Sequence, residues 1–270
     1  MRRDAHQLPQ DPTAASNRRA VLDRTHACDL QISNLPAFLL LPSIGWAPAA
    51  SKLCCGRDRL ESEGSFESHS LYSMKIGVLA LQGDFDAHRR RLEQLGAEVV
   101  LVKKPEQFDE IDGLVIPGGE SGTFLKLLGE TGFEKLKQFV RLKPTFGTCA
   151  GAILLAKEVE NPSQAGLGAL NIRIRRNAYG RQIDSSIRTG KLLGDLEGHS
   201  GDSPIEMVFI RAPKISHVGE GVEVLATEGE DPVVVRQGKT MAATFHPELS
   251  EDTRVHQTFL NLVRNGNKRP

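Results

Sequence analysis

The chain has 270 residues, enough for one large or two small domains. Its 34 basic and 34 acidic side chains cancel, so no global charge points to nucleic acid or to an acidic surface. The longest apolar tract, residues 35–50, is too short and too often broken, by Pro36, Pro42 and Pro48, to cross a membrane.

Residues 1–73 differ from the rest. They hold the only tryptophan, Trp46, show no clear periodicity, and carry eight basic and eight acidic side chains. No pattern of charge, apolar core and small residues opens the chain, so a secretory signal is not supported, and the acidic content argues against a transit peptide. Met74 stands directly before an abrupt first strand. We therefore expect 1–73 to be an upstream extension, disordered or an artefact of start-site choice, and 74–270 to be the working domain. Of the four cysteines, Cys28, Cys54 and Cys55 lie in this extension and Cys149 lies beyond it. A disulfide framework is not expected, and a reducing cytoplasm is the natural setting.

From Met74 the pattern alternates. A strand over 75–81 leads into a helix at 85–95 that places Phe85, His88, Leu92 and Leu95 near one face, with Gly96 as its stop. A strand over 98–102, a short helix after Pro105 and a strand over 113–116 follow. The run Pro117-Gly118-Gly119-Glu120-Ser121-Gly122-Thr123 precedes helices at 123–129 and 132–141. A buried strand then enters Cys149, and 152–157 reads as a helix. The second half is richer in strands, at 171–174, 207–210, 222–226, 233–235 and 241–245. A last helix over 251–265 sets Val255, Phe259, Leu262 and Val263 on one face. Alternating strands and helices predict an α/β fold, a doubly wound and mainly parallel sheet flanked by helices with a β-rich C-terminal half. Ligands then bind at the carboxyl ends of the strands.

Three segments carry chemistry. Gly147-Thr148-Cys149-Ala150-Gly151 has the layout of a nucleophile elbow, a sharp strand-to-helix turn whose glycines remove Cβ clashes and whose helix N-terminus favours a thiolate. Taken alone, Cys149 reads equally well as a small buried hydrophobe. Phe245-His246-Pro247-Glu248 supplies a base and a carboxylate two residues apart, which point the same way in an extended segment. His246 can then face Cys149 while Glu248 orients it. Gly118-Gly119 allows close backbone approach, and the N–H groups of Gly119 and Ala150 would form a two-donor oxyanion hole. Alone, an ordinary glycine turn is the plainer reading of that loop; it lacks the pattern of a phosphate loop.

These segments resemble the class I, triad-type glutamine amidotransferases. The resemblance narrows through Leu81-Gln82-Gly83 with His88, through the blocks at 117–121, 146–151 and 209–213, and through Phe245-His246-Pro247-Glu248-Leu249. The block Arg176-Asn177-Ala178-Tyr179-Gly180-Arg181-Gln182-Ile183-Asp184-Ser185 is the most specific. Together they look like the glutaminase subunit of pyridoxal 5′-phosphate synthases, over about 74–264. The resemblance implies a flavodoxin-like fold and hydrolysis of L-glutamine to glutamate and ammonia by Cys149, His246 and Glu248. It places glutamine binding on Gly119, Glu120, Ser121, Arg176, Ile210 and Arg211, and assigns Gln82 to the pocket or the partner interface. The physical logic fits, since an arginine can pair the α-carboxylate and Glu120 an ammonium. It implies a TIM-barrel synthase partner with a dodecameric core that receives the ammonia, and no cofactor, metal, nucleic acid or membrane.

The chain departs from the family pattern at Gly122-Thr123, at Ser186-Ile187, and in a Gly-, Asp- and Ser-rich stretch from Gly190 to Pro204. These put loop geometry and partner contacts in question more than the chemistry. An amidotransferase for another acceptor would share the triad but not the 176–185 block. A binding protein with Cys149 as a redox sensor would not need His246 and Glu248 at this spacing. A free-standing γ-glutamyl peptidase would need no partner.

Overall fold

The computed structural model describes residues 74–178, 185–196 and 203–267. The expected N-terminal extension and residues 179–184 of the signature block lie outside the described residues.

The elements in chain order are β1 (Lys75–Leu79), α1 (Phe85–Gln94), β2 (Glu98–Val102), β3 (Gly113–Ile116), α2 (Ser121–Leu142), β4 (Thr145–Thr148), α3 (Ala150–Leu155), β5 (Ala156–Glu160), β6 (Leu170–Arg175), β7 (Ser186–Leu192), β8 (Pro204–Phe209), β9 (Lys214–Val218), β10 (Glu223–Glu228), β11 (Asp231–Gln237), β12 (Thr240–Ala243) and α4 (Arg254–Asn267). Nine strands form one sheet in the order β2-β1-β3-β4-β12-β11-β10-β7-β8. From β2 to β12 every pairing is parallel; beyond β12 every pairing is antiparallel. Strands β5, β6 and β9 form a second, smaller sheet. The doubly wound reading holds for the parallel part, and the antiparallel part is the β-rich half.

Strand β3 is four apolar or small residues buried on both sides, as a central parallel strand requires. Its successive side chains serve opposite faces. Leu114 and Ile116 join a core with Phe124, Leu136 and Leu154 of α2 and α3. Val115 joins Leu92 of α1 and Val255, Phe259 and Val263 of α4. Two separate cores on two faces are the packing signature of a doubly wound sheet.

Several boundaries differ from the sequence expectation. The two helices expected over 123–141 are one element broken at Gly129, whose left-handed φ of 61° interrupts the spiral. Helix α3 stops at Leu155, because Ala156 already pairs with Leu170 at the start of β5. On α4 Leu262 is only partly buried, and Leu260 takes its place in the core. Strands β5, β7 and β9 have no counterpart in the sequence expectation.

Candidate active site

Four neighbouring parallel strands, β1, β3, β4 and β12, end side by side, with Val78 opposite Val115, Ile116 opposite Gly147, and Thr148 opposite Ala243. Each releases one of the segments singled out above: the Gln82 loop, the double glycine, Cys149 and the His246 segment. The sheet register therefore converges chemistry that the sequence scatters over some 170 positions, Gln82 to Glu248.

Cys149 occupies a left-handed backbone conformation, φ 47°, ψ −100°, between β4 and α3. Its amide donates to the Ala243 carbonyl at 2.9 Å, which ties the elbow to β12. A Cβ at Gly147 would run into the Gly151 backbone, and one at Gly151 into the Ile116 carbonyl, so the elbow closes only with both glycines. Three of the four left-handed non-glycine residues among the described ones, Cys149, Asn177 and Arg211, line one cavity. Backbone strain concentrated in this way marks a functional site.

That cavity, of about 200 Å³, is walled by Cys149, His246, Gly119, Glu120, Ser121, Arg176, Ile210 and Arg211. Every residue the sequence proposed for substrate binding is on its wall. Asp84, Gly118, Ile153 and Asn177 also line it, without having been singled out as substrate contacts by the sequence.

His246 lies between a thiol and a carboxylate. Its Nδ1 is 2.8 Å from Glu248 Oε1, which leaves the other nitrogen for its hydrogen bond with Cys149. The backbone here is not extended as expected. Pro247–Leu249 is one 3₁₀ turn with His246 as its N-cap, and the tight turn brings the two side chains together instead. The His246 amide donates to the Val208 carbonyl at 2.8 Å, so β8 helps to hold the ring. Burial disfavours the imidazolium, yet the bonds to Cys149 and Glu248 and their charges outweigh it and push the His246 pKa up to about 10. Glu248 is 4% exposed. Burial disfavours its carboxylate too, but the facing imidazoles of His88 and His246 hold its pKa down to about 2. Of the two, His246 is the main cause, because burial pushes His88 itself down toward the neutral form.

Gln82 does not line the cavity. It clamps the glycine loop from behind: Glu120 N–H donates to Gln82 Oε1 at 3.2 Å, and Gln82 Nε2 donates to the Glu120 carbonyl at 3.3 Å. A Cβ at Gly119, whose φ is 133°, would be strained and would push this amide off its two bonds. The Glu120 carboxylate caps α2, accepting from Gly122 N–H at 3.1 Å and from the Thr123 hydroxyl, and it faces Arg176 at 3.4 Å. Gly122-Thr123, the departure from the family pattern, thus closes the cap. The Thr123 hydroxyl and then the Gly122 amide draw the Glu120 pKa down, against a partial desolvation. The Ser121 hydroxyl donates to Gln164 Oε1 at 2.9 Å.

The SNO glutamine amidotransferase family signature matches residues 78–265. The chain belongs to that family. A Koribacter versatilis protein named pyridoxal 5′-phosphate synthase subunit PdxT is 69% identical over 194 residues, covering 72% of this chain and 98% of its own length. Its namesake from Solibacter usitatus is 52% identical over 190 residues, 70% of this chain and 99% of that one. A crystal structure of a glutamine amidotransferase superposes with a TM-score of 0.64 at 47% identity, covering 70% of this chain and 98% of that one. The structure of PurLQS from Thermotoga maritima shares the fold, at 16% identity and a TM-score of 0.54, over 70% of this chain and 98% of the matched one.

Proposed function

We propose that this chain is the glutaminase subunit of a pyridoxal 5′-phosphate synthase, hydrolysing L-glutamine and delivering the ammonia to a synthase subunit. The observation that carries the chemistry is an imidazole bridging a thiol and a buried carboxylate on the wall of an amino-acid-sized cavity. Near full-length identity to proteins named as subunits of that synthase supports the pathway.

His246 takes the thiol proton of Cys149, which gives the nucleophilic form of the sulfur. The sulfur attacks the side-chain amide carbon of glutamine. The oxyanion accepts from the N–H groups of Gly119 and Ala150. The C–N bond breaks as His246 gives its proton to the leaving ammonia, and a γ-glutamyl thioester remains. His246 then takes a proton from water, which attacks the thioester; glutamate leaves and the thiolate is restored. Glu248 orients His246 throughout. Arg176 and Arg211 pair the substrate α-carboxylate, and Glu120, Ser121 and Ile210 complete the pocket. Because the Glu120 carboxylate already caps α2, it offers the ammonium a fixed charge.

The synthase partner has a TIM-barrel fold and a dodecameric core, and the complex works in the cytoplasm, where Cys149 stays reduced. Residues 74–270 form the amidotransferase domain and 1–73 an upstream extension. Intact-mass analysis of the native protein decides this last point: a mass that includes 1–73 removes the start-site reading.

The central test measures ammonia release from glutamine by the purified chain, alone and with the synthase subunit, beside Cys149→Ala. Activity that appears on mixing and vanishes in the variant is expected. Release that survives in Cys149→Ala would sink the triad, and a full rate without the partner would make the chain a free-standing amidase.

A further inference from the structure

Behind the proposed triad lies a second buried cluster that the mechanism above does not use. His88 of α1 and His256 of α4 are both fully buried. His88 Nδ1 is 3.0 Å from His256 Nε2, and His88 Nε2 is 3.0 Å from Thr148 Oγ1, the residue before Cys149. His88 Nε2 also lies 3.3 Å from Glu248 Oε2. That oxygen makes no hydrogen bond of good geometry, so the contact is one of charge and dipole. The Phe146 ring stands edge-on to both imidazoles, with centroids 6.4 and 5.9 Å away, and seals the cluster in an apolar wall.

The tautomers follow from what each nitrogen faces. With a proton on Nε2, His88 presents an N–H to Thr148 Oγ1 and to the Glu248 carboxylate. Its Nδ1 then accepts from His256 Nε2–H. The one nitrogen left over, His256 Nδ1, has no partner, and in this arrangement it is a bare lone pair. The opposite arrangement aims a lone pair at a carboxylate and buries an unpaired N–H on His256, which costs more. Burial acts first on both rings and drives them toward the neutral form, His256 down to about 3. A cluster of neutral rings with one directed N–H suits a support for a carboxylate, not a proton store.

We propose that His88 is a positioning residue of the glutaminase reaction, whose Nε2–H holds the second oxygen of Glu248 so that the first stays aligned on His246. This rests on the reading of Glu248 as the acid of a Cys149–His246–Glu248 triad. Without that N–H, Glu248 Oε2 loses the imidazole dipole that faces it, and the carboxylate is free to turn away from His246. The titratable and charged groups facing the pair are His246, Cys149, His256, Asp84 at the start of α1, and Arg91 farther along it. Asp84 and Arg91 are of opposite sign, and neither touches Glu248 Oε2, so neither replaces the lost dipole.

The test compares wild type, His88→Asn and His88→Gln in complex with the synthase subunit, reading kcat/KM for glutamine against pH. A Gln amide nitrogen reaches the place of Nε2, whereas an Asn amide nitrogen stops near Nδ1. In His88→Asn, Glu248 protonates more readily and the His246 imidazolium loses support. The acid limb should therefore rise by about one pH unit and the alkaline limb should fall, narrowing the profile. His88→Gln should restore both limbs. A His88→Asn profile lowered equally at every pH would overturn the proposal, because that is what loosened packing alone produces. Cys149→Ala is run alongside: hydrolysis in that variant sinks the triad reading itself, whereas unmoved limbs with a dead Cys149→Ala sink only the role of His88. Ring-nitrogen NMR of histidine-labelled wild-type protein needs neither variants nor turnover. It should show His88 neutral and protonated on Nε2; protonation on Nδ1 would overturn the proposal.

Discussion

A carboxylate held near a pKa of 2 and an imidazole held near 10 in one buried contact make the fold itself sensitive to pH. Glu248 is lowered from an ordinary 4.5, so its contribution to stability is complete above about 4.5 and disappears as pH falls through about 2. His246 is raised from 6.5, so its contribution is complete below 6.5 and is lost as pH rises through about 10. Stability should therefore be greatest between these ordinary values. The acid limb is on the order of 3 kcal/mol as a ceiling, and the alkaline limb draws partly on the same ion pair. Thermal unfolding across pH, wild type against Glu248→Gln, checks this. The variant should lose most of the acid limb and start its alkaline decline at lower pH. Identical limbs in the two proteins would mean that the pair contributes nothing to folding. At this scale much was legible, because the side chains that do chemistry are rare types in short segments. Cys149, His246 and the six proposed substrate-binding residues line one cavity, with Glu248 behind His246, whereas Gln82 lies off the wall. His256 was not legible: on an amphipathic helix a histidine carries no sign that its partner lies on another helix 168 residues away.

Helix α4 shows how an element far from the thiol supports it. Phe259 is fully buried, its ring centroid 5.7 Å from that of Phe146, and the same helix carries His256 one turn earlier. Phe259→Ala should cost about 3–5 kcal/mol, as large-to-small changes in a closed core do, read as a lower urea midpoint with an unchanged slope. A loss under about 1 kcal/mol would mean that α4 is not closely packed on its face of the sheet. The elements that escaped the sequence share a cause. Strand β7, Ser186–Leu192, alternates only weakly and leaves Ile187 70% exposed, so its pattern does not separate inside from outside. Strand β5 opens with Ala156-Lys157, of which Ala156 continues the apolar run of α3, so the pair reads as its last turn. The inner parallel strand β3 was plain because both faces are buried and its four residues are apolar or small. The double glycine and the Pro247 turn were plain for another reason, since such residues act through the backbone whatever surrounds them.

The molecule gathers its site by sheet order, and the same order leaves one part of it braced by a side chain from a neighbouring loop. Three of the four converging segments are fixed by strand pairing or by the elbow. The glycine loop is joined to α2 through Glu120 and is braced from behind by Gln82, through one bond to the Glu120 amide and one to its carbonyl. The bond to the Glu120 amide fixes the plane of the peptide joining Gly119 to Glu120, next to the N–H expected to stabilise the oxyanion. Net values for such bonds are about 1 kcal/mol each, with the larger cost falling on whichever buried group is left unpaired. Gln82→Ala should thus lower kcat for partner-stimulated glutamine hydrolysis by about tenfold or more. Alkylation of Cys149 by iodoacetamide should stay near wild type, because the thiol, His246 and Glu248 are held by other elements. A fall in both would place Gln82 in support of the nucleophile rather than the loop. An unchanged kcat would mean that docking of the synthase subunit fixes the peptide by itself.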